Sequence, residues 1–280
     1  MPNFHQNRRV VLANPPRGAF VGPLDAYTTG LAGVWSVARR LLASYTGSLI
    51  RIRRDSDHDE RDIGFDAEGN LDTAAITSFV SSNSAYMVAV YDQEGGNNVT
   101  QAVAASQPLL VSSGTLQTMD GSPAFYCDGS GVFMDLPVWS GSAASIYATG
   151  QHLTDPTSAL KRGLVLGEIG ATSNVFWEDG NIYAGIAKSY RPSMGNPASS
   201  LASPYLFSVT SASANYQFRV NSAGLYSSGS NIVEFGSTPC WGRSLGSAEG
   251  AYEGWAQELV WYQAEHGSTE WGNIEPILQP

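Results

Sequence analysis

The sequence predicts an all-β protein, a sandwich or barrel, and three observations carry that reading. Charged residues make up only 14 % of the chain and glycines number 30, a composition poor in the Lys, Glu and Arg that usually cover helical surfaces. Short runs of strand-forming residues recur along the chain, each closed by a turn containing Gly, Asn, Asp or Pro. No heptad, fixed-period repeat or linker interrupts residues 23–280, so a single β body is expected there, preceded by an arm over residues 1–22.

The arm carries Arg8, Arg9 and Arg17 around the Pro15-Pro16 pair, which blocks regular strand pairing. These arginines are read as docking residues or a subunit contact. Leu31, Val34, Val37, Ala38, Leu41 and Leu42 recur at helix-like spacing behind Asp25, so Leu24 to Leu42 is read as a short helix or turn leading to a strand near Ala38 to Leu42, with Val34 to Val37 as an equal alternative start of a strand. Leu49 to Arg53 alternates apolar and basic residues, the pattern of a half-buried strand. Asp55 to Asp62, DSDHDERD, opens like a calcium loop but lacks the glycine and the closing glutamate such a loop needs. It is read as a solvated loop pairing with Arg51, Arg53, Arg54 and Arg61, with no metal. Asp72 to Val80 fits a short helix with Asp72 as N-cap.

The stretch Tyr86 to Val111 is the organising element of the chain. Its apolar run Tyr86 to Tyr91 is a core strand, and it breaks at the acidic loop Asp92 to Asn98. Asp92, Asn97 and Asn98 there are expected to hold their own loop by Asx-type hydrogen bonds. Asp120-Gly121 between Thr115 to Met119 and Ala124 to Cys127 is a two-residue hairpin signal. Further strands are expected at Val132 to Leu136, Ser145 to Thr149, Leu164 to Ile169, Val175 to Trp177, Ile182 to Ile186, Tyr205 to Val209, Tyr216 to Val220, Leu225 to Tyr226, Ile232 to Phe235 and Leu259 to Tyr262. Gly267 to Ile277 is at most a short helix, interrupted in its last turn by Pro276.

The formal charge of -10 argues against nucleic acid as a partner, because binding it needs a basic footprint. No stretch has the length of a membrane span, and no membrane contact is expected. Met1 to Arg9 is polar and Val10 to Ala13 is too short for a signal core, so synthesis in the cytoplasm is expected. Cys127 and Cys240 are read as isolated buried thiols rather than a disulfide. His5, His58, His152 and His266 are not at zinc-ligand spacing, no G-x-S-x-G elbow occurs, and no cofactor is expected.

The segment Ala38 to Phe65, then Gly69 to Ala75, then Val90 to Ala102 with its YDQ loop resembles the N-terminal half of a concanavalin A-like, laminin-G-like domain. The resemblance implies a concanavalin A-like β-sandwich (jelly roll) with short peripheral helices, as found in phage virion proteins. The same pattern is similar to the catalytic domain of family-54 alpha-L-arabinofuranosidases, and the ending Gly250 to Tyr262 looks like that family's last strand. That likeness implies a nucleophilic glutamate, for which Glu178 is the counterpart and Glu168 the runner-up. The family's acid, an Asp in a Gly-rich loop, has Ser237 and Thr238 in its place, so Glu234 or Glu249 would have to substitute. The family's adjacent cysteine pair is absent.

The chain is therefore expected to be a phage virion structural protein, a capsid decoration or tail-associated subunit located in the virion. It is read as no enzyme, with other virion proteins as partners, as a homo-oligomer of which a trimer is one form, and with a glycan as candidate ligand. Extracellular composition without a secretion signal supports this, since Lys161 and Lys188 are the only lysines among 15 basic residues. Trp139, Trp177, Glu178, Asp179 and Trp241 are the candidate carbohydrate contacts, because a flat aromatic face beside carboxylates suits a sugar ring. The alternatives are a glycoside hydrolase of arabinofuranosidase type and a non-viral surface lectin.

Overall fold

The structure is a computed structural model that describes residues 20–156, 162–163, 166–168, 175–178, 181–243 and 252–280. Arg8, Arg9, Arg17, Asp179 and Glu249 lie outside the described residues. The expected β-sandwich is found. Among the described residues, sixteen strands join one hydrogen-bonded network, and every pairing in it is antiparallel. Glu253–Tyr262 runs through its middle, flanked by Phe125–Asp128 and by Ala143–His152. Tyr205–Ala212, Asn215–Val220 and Ala223–Ser228 continue one side. The other side is built from Leu109–Ser112, Ala85–Val90, Val99–Thr100, Met134–Asp135, Pro239–Trp241 and Leu166–Glu168. A second sheet joins Arg162–Gly163, Val175–Glu178, Asn181–Ala184 and Ser193–Gly195.

Two apolar layers hold these sheets. The larger contains Trp35, Phe125, Phe207, Phe218, Trp241, Leu259 and Trp261. The smaller contains Leu24, Val34, Tyr147, Leu206, Val260 and Tyr262 under Ile274 and Leu278 of the C-terminal helix, Ser268–Leu278. Glu253–Tyr262 therefore sends successive residues into two different layers, which explains why its sequence does not alternate between apolar and polar.

The same geometry corrects the reading of Leu24 to Leu42. The strand is Leu31–Ser36, paired with Glu258–Tyr262, and not Ala38 to Leu42. Val34 faces the smaller layer and Trp35 the larger, so both neighbours are apolar and the spacing imitates a helix. Ile232 to Phe235 also departs from expectation, since it forms no strand and Ile232 is exposed. Pro276 does not stop the last helix, whose final turn closes by Gln279 N–H donating to Glu275 O at 2.8 Å.

The helix Thr73–Val80 starts as expected, with the Asp72 carboxylate accepting from Ala75 N–H at 2.9 Å. Asp72→Ala removes that acceptor and is expected to cost about 1 kcal/mol, read as a lower urea midpoint with unchanged slope. DSDHDERD pairs with arginines as anticipated, but it is not all loop, since Glu60–Ile63 forms a strand paired with Ile50–Arg54. Arg51 Nε meets Asp62 Oδ1 at 2.7 Å, Arg54 binds Asp57, and Arg53 lies 3.9 Å from Asp55.

The C-terminal helix is anchored by buried charge. Arg219 meets Glu275 through Nε at 2.8 Å and Nη2 at 3.1 Å, and the Ser208 hydroxyl donates to the same carboxylate. The carboxyl of Glu275 is held below its usual value although burial, the largest single effect, pushes it up. The hydrogen bonds from Arg219 and Ser208 act the other way and together prevail.

His266, just before the helix, is buried and makes a 2.8 Å hydrogen bond between its Nδ1 and the Tyr147 hydroxyl. Burial lowers its pKa from 6.5. The unfolded chain thus takes up a proton that the folded chain resists, so stability falls as pH drops below 6.5 and levels off under the folded pKa. Urea midpoints measured across that window should show this slope, and His266→Asn should flatten it.

Candidate functional site

Three short strands stand side by side at one edge of the main sheet. In register, Leu166 faces Trp241, Gly167 faces Cys240, and Glu168 faces Pro239. On the other flank, Met134 faces Trp241 and Asp135 faces Cys240. The strand carrying Glu168 is in contact with Val175–Glu178 of the second sheet. In that sheet Trp177 is opposite Ile182 and Glu178 opposite Asn181. Two glutamates that are distant from the sequence's other acidic clusters are thus brought onto touching strands beside Pro239–Trp241.

The remaining groups at this edge set its electrostatics. The carboxyl of Asp135 is pushed above its ordinary value by partial burial, against the pull of the Arg243 cation. The Arg243 guanidinium lies 3.5 Å from the centroid of the Phe133 ring. Its Nε is buried and has no hydrogen-bond partner among the described residues. Sequence reasoning passed over both residues. The one signal for Asp135 was a lone charge in the apolar run FMDL, where a strand edge next to another strand desolvates it.

The tryptophans are placed differently from the expectation. Trp241 is fully buried, edge-to-face on Phe125 with centroids 5.0 Å apart. Trp139 is 4 % exposed and stacks on Trp261 at 5.4 Å. Neither presents an open face to a sugar ring; both pack as large aromatics do in cores. Asp179 lies outside the described residues, and Trp177 and Glu178 are placed by strand register. Cys127 and Cys240 are buried thiols not joined to each other, and burial raises the Cys127 thiol well above its usual value.

Asp92 and Asn98 hold the loop Asp92 to Asn98 as anticipated, while Asn97 takes part through its backbone. Asp92 Oδ1 accepts from Val34 N–H at 2.9 Å and from Glu94 N–H at 3.0 Å, and Asn98 Oδ1 accepts from Asp92 N–H at 3.0 Å. Those acceptors are spent on the chain itself.

A family model described as "Alpha-L-arabinofuranosidase B, catalytic" matches residues 23–122. A probable alpha-L-arabinofuranosidase B of Aspergillus flavus is 33 % identical over 146 residues, 47 % of this chain and 28 % of that protein. An alpha-L-arabinofuranosidase of Hypocrea jecorina is 34 % identical over 85 residues, 29 % of this chain and 17 % of that one. The chain thus spans less than a third of the length of these curated relatives. Among solved structures, an arabinofuranosidase complexed with arabinofuranosyl-alpha-1,2-xylobiose covers 92 % of this chain and 65 % of its own, with TM-score 0.67 and 19 % identity. A GH54 a-l-arabinofuranosidase soaked with cyclic sulfate inhibitor gives the same coverage with TM-score 0.69 and 19 % identity.

The distant resemblance to the arabinofuranosidase catalytic domain therefore stands, while the likeness to a phage virion sandwich finds no support. The curated matches overturn the expectation of a virion structural subunit, of a chain without enzymatic activity and of a virion location, because those similar proteins are fungal arabinofuranosidases. The composition that suggested a particle, rich in Ser and Gly and poor in Lys, is a property of turn-rich β-sandwiches in general and carries no information on assembly.

Proposed function

We propose that this chain is a glycoside hydrolase module of the alpha-L-arabinofuranosidase type, acting on arabinofuranosyl groups of glycans. The match of residues 23–122 to the arabinofuranosidase catalytic model is the observation that carries this reading. The matched residues end before the two candidate glutamates, and the contact between their strands supplies the local support.

The roles derive from the requirement of a retaining glycosidase for two carboxyl groups roughly 5 Å apart. The Glu178 carboxylate attacks the anomeric carbon. Glu168 gives its proton to the departing glycosidic oxygen as that carbon–oxygen bond breaks, in place of Glu234, which is exposed outside any strand, and of Glu249, which lies outside the described residues. Glu168, now ionised, takes a proton from water, whose oxygen attacks the anomeric carbon. The bond to Glu178 breaks, the free sugar leaves, and both carboxyls return to their starting states.

The test is release of 4-nitrophenol from 4-nitrophenyl alpha-L-arabinofuranoside by the full chain. Turnover with a bell-shaped pH profile is expected, because one carboxyl must be ionised and the other protonated. Absence of turnover on this substrate and on arabinofuranosyl-substituted xylobiose would contradict the proposal.

A further inference from the structure

We propose that the cleft between the C-terminal helix and the Asp120-Gly121 hairpin is a second saccharide-binding site, apart from the strands that carry Glu168 and Glu178. The cleft has a volume of about 450 Å³, and none of its lining residues belongs to Leu166–Glu168, Val175–Glu178 or Pro239–Trp241. That volume lies within the span of small-molecule sites, roughly 300–1,000 Å³.

Its chemistry selects a neutral polyhydroxylated ligand. The one cation among the described residues of its wall, Arg39, is already committed. Its Nε and Nη2 donate to Glu258 at 2.8 and 3.1 Å, and Nη2 also donates to Ile277 O at 2.7 Å. Asp66 and Asp120 add negative charge, so an anion is repelled. The amides of Asn70, Gln257 and Gln279 line the same space; each already donates one hydrogen bond within the chain, to Asp66, Pro123 O and Asn221, and keeps one N–H and its carbonyl oxygen for a ligand. Leu71, Met119 and Leu278, each almost fully buried, form its apolar floor.

Asp66 is held in place by its own hydrogen bonds before any ligand arrives, and Asp120 by its backbone turn alone. Asp66 Oδ1 accepts from Glu68 N–H at 3.0 Å and Asn70 N–H at 2.8 Å. Asp120 sits in a left-handed turn, with φ of 50° followed by 77° at Gly121. Its exposed carboxylate has no hydrogen-bond or ion-pair partner among the described residues, so it is free to receive sugar hydroxyls. Preorganised acceptors lower the ordering cost of binding. The choice of a saccharide as ligand rests on the proposed hydrolase reading; the cleft itself does not depend on Glu178.

The experiment is an amide NMR titration of the full chain with xylobiose, which carries no arabinofuranosyl group to remove. Saturable shifts are expected at residues 119–121 and at Asn70 in the millimolar range. Asp120→Asn, which keeps a residue tolerant of the left-handed turn, should weaken binding about tenfold, the loss of one hydrogen bond to a charged acceptor. Asn70→Ala should weaken it as well, and 4-nitrophenol release should be unchanged in Asp120→Asn. Absence of saturable shifts at these amides, or undiminished binding in both variants, overturns the second site. Cleft binding without any 4-nitrophenol release would sink the hydrolase reading and leave the site standing. Turnover without cleft binding would do the reverse.

Discussion

Glu178→Gln is expected to lower the rate of 4-nitrophenyl alpha-L-arabinofuranoside hydrolysis by on the order of 10²–10⁴-fold. Gln has nearly the same shape, so the strand pairing of Val175–Glu178 with Asn181–Ala184 should persist. The variant lacks the anionic oxygen that attacks the anomeric carbon. Glu168→Gln should behave differently across substrates. Nitrophenolate leaves with little help, so the loss should be smaller there than on a xylobiose-linked arabinofuranosyl group, whose departing oxygen needs a proton. An equal loss on both substrates would remove Glu168 from the role of proton donor. Unchanged rates in Glu178→Gln would remove Glu178 from the role of nucleophile.

Glu258→Ala is expected to destabilise the fold by about 3 kcal/mol, near the low end for breaking a buried ion pair because Arg39 keeps some solvent access. The Glu258 side chain is 2 % exposed and that of Arg39 35 %. The carboxylate also accepts from the Ser36 hydroxyl at 3.1 Å. That hydroxyl in turn accepts from Ala38 N–H and Arg39 N–H, so one deletion unsettles the chain that leaves the strand Leu31–Ser36. Arg39 also holds the last turn of the C-terminal helix through Ile277 O. The expected readout is a lower urea midpoint with an unchanged slope. A change below roughly 0.5 kcal/mol, the range of an ordinary surface substitution, would show that the pair is not structural.

Features set by a few adjacent residues were legible before the structure. Asp120-Gly121 adopts the two successive positive φ values that a tight hairpin demands, and Asp72 caps its helix. The carboxylates of DSDHDERD found the neighbouring arginines, and Asp92 found its own loop. Features set by distant strands were not legible. Leu31–Ser36 is apolar on both faces because a second layer lies beneath the C-terminal helix, which no local pattern announces. The burial of Trp139 and Trp241 depends on Trp261 and Phe125, each more than a hundred residues away in sequence. For the candidate site, the residue types at Glu168 and Glu178 were visible, but the contact between their strands and the neighbouring Asp135 and Arg243 come from sheet order alone.

The most direct test of the central claim is covalent trapping of the nucleophile. The full chain is incubated with an arabinofuranose-configured cyclic sulfate, and intact mass and peptide mapping locate the adduct. The account predicts one adduct per chain, on Glu178, absent in Glu178→Gln. No adduct on a folded chain, or an adduct on a carboxylate outside the strands of Glu168 and Glu178, would contradict it.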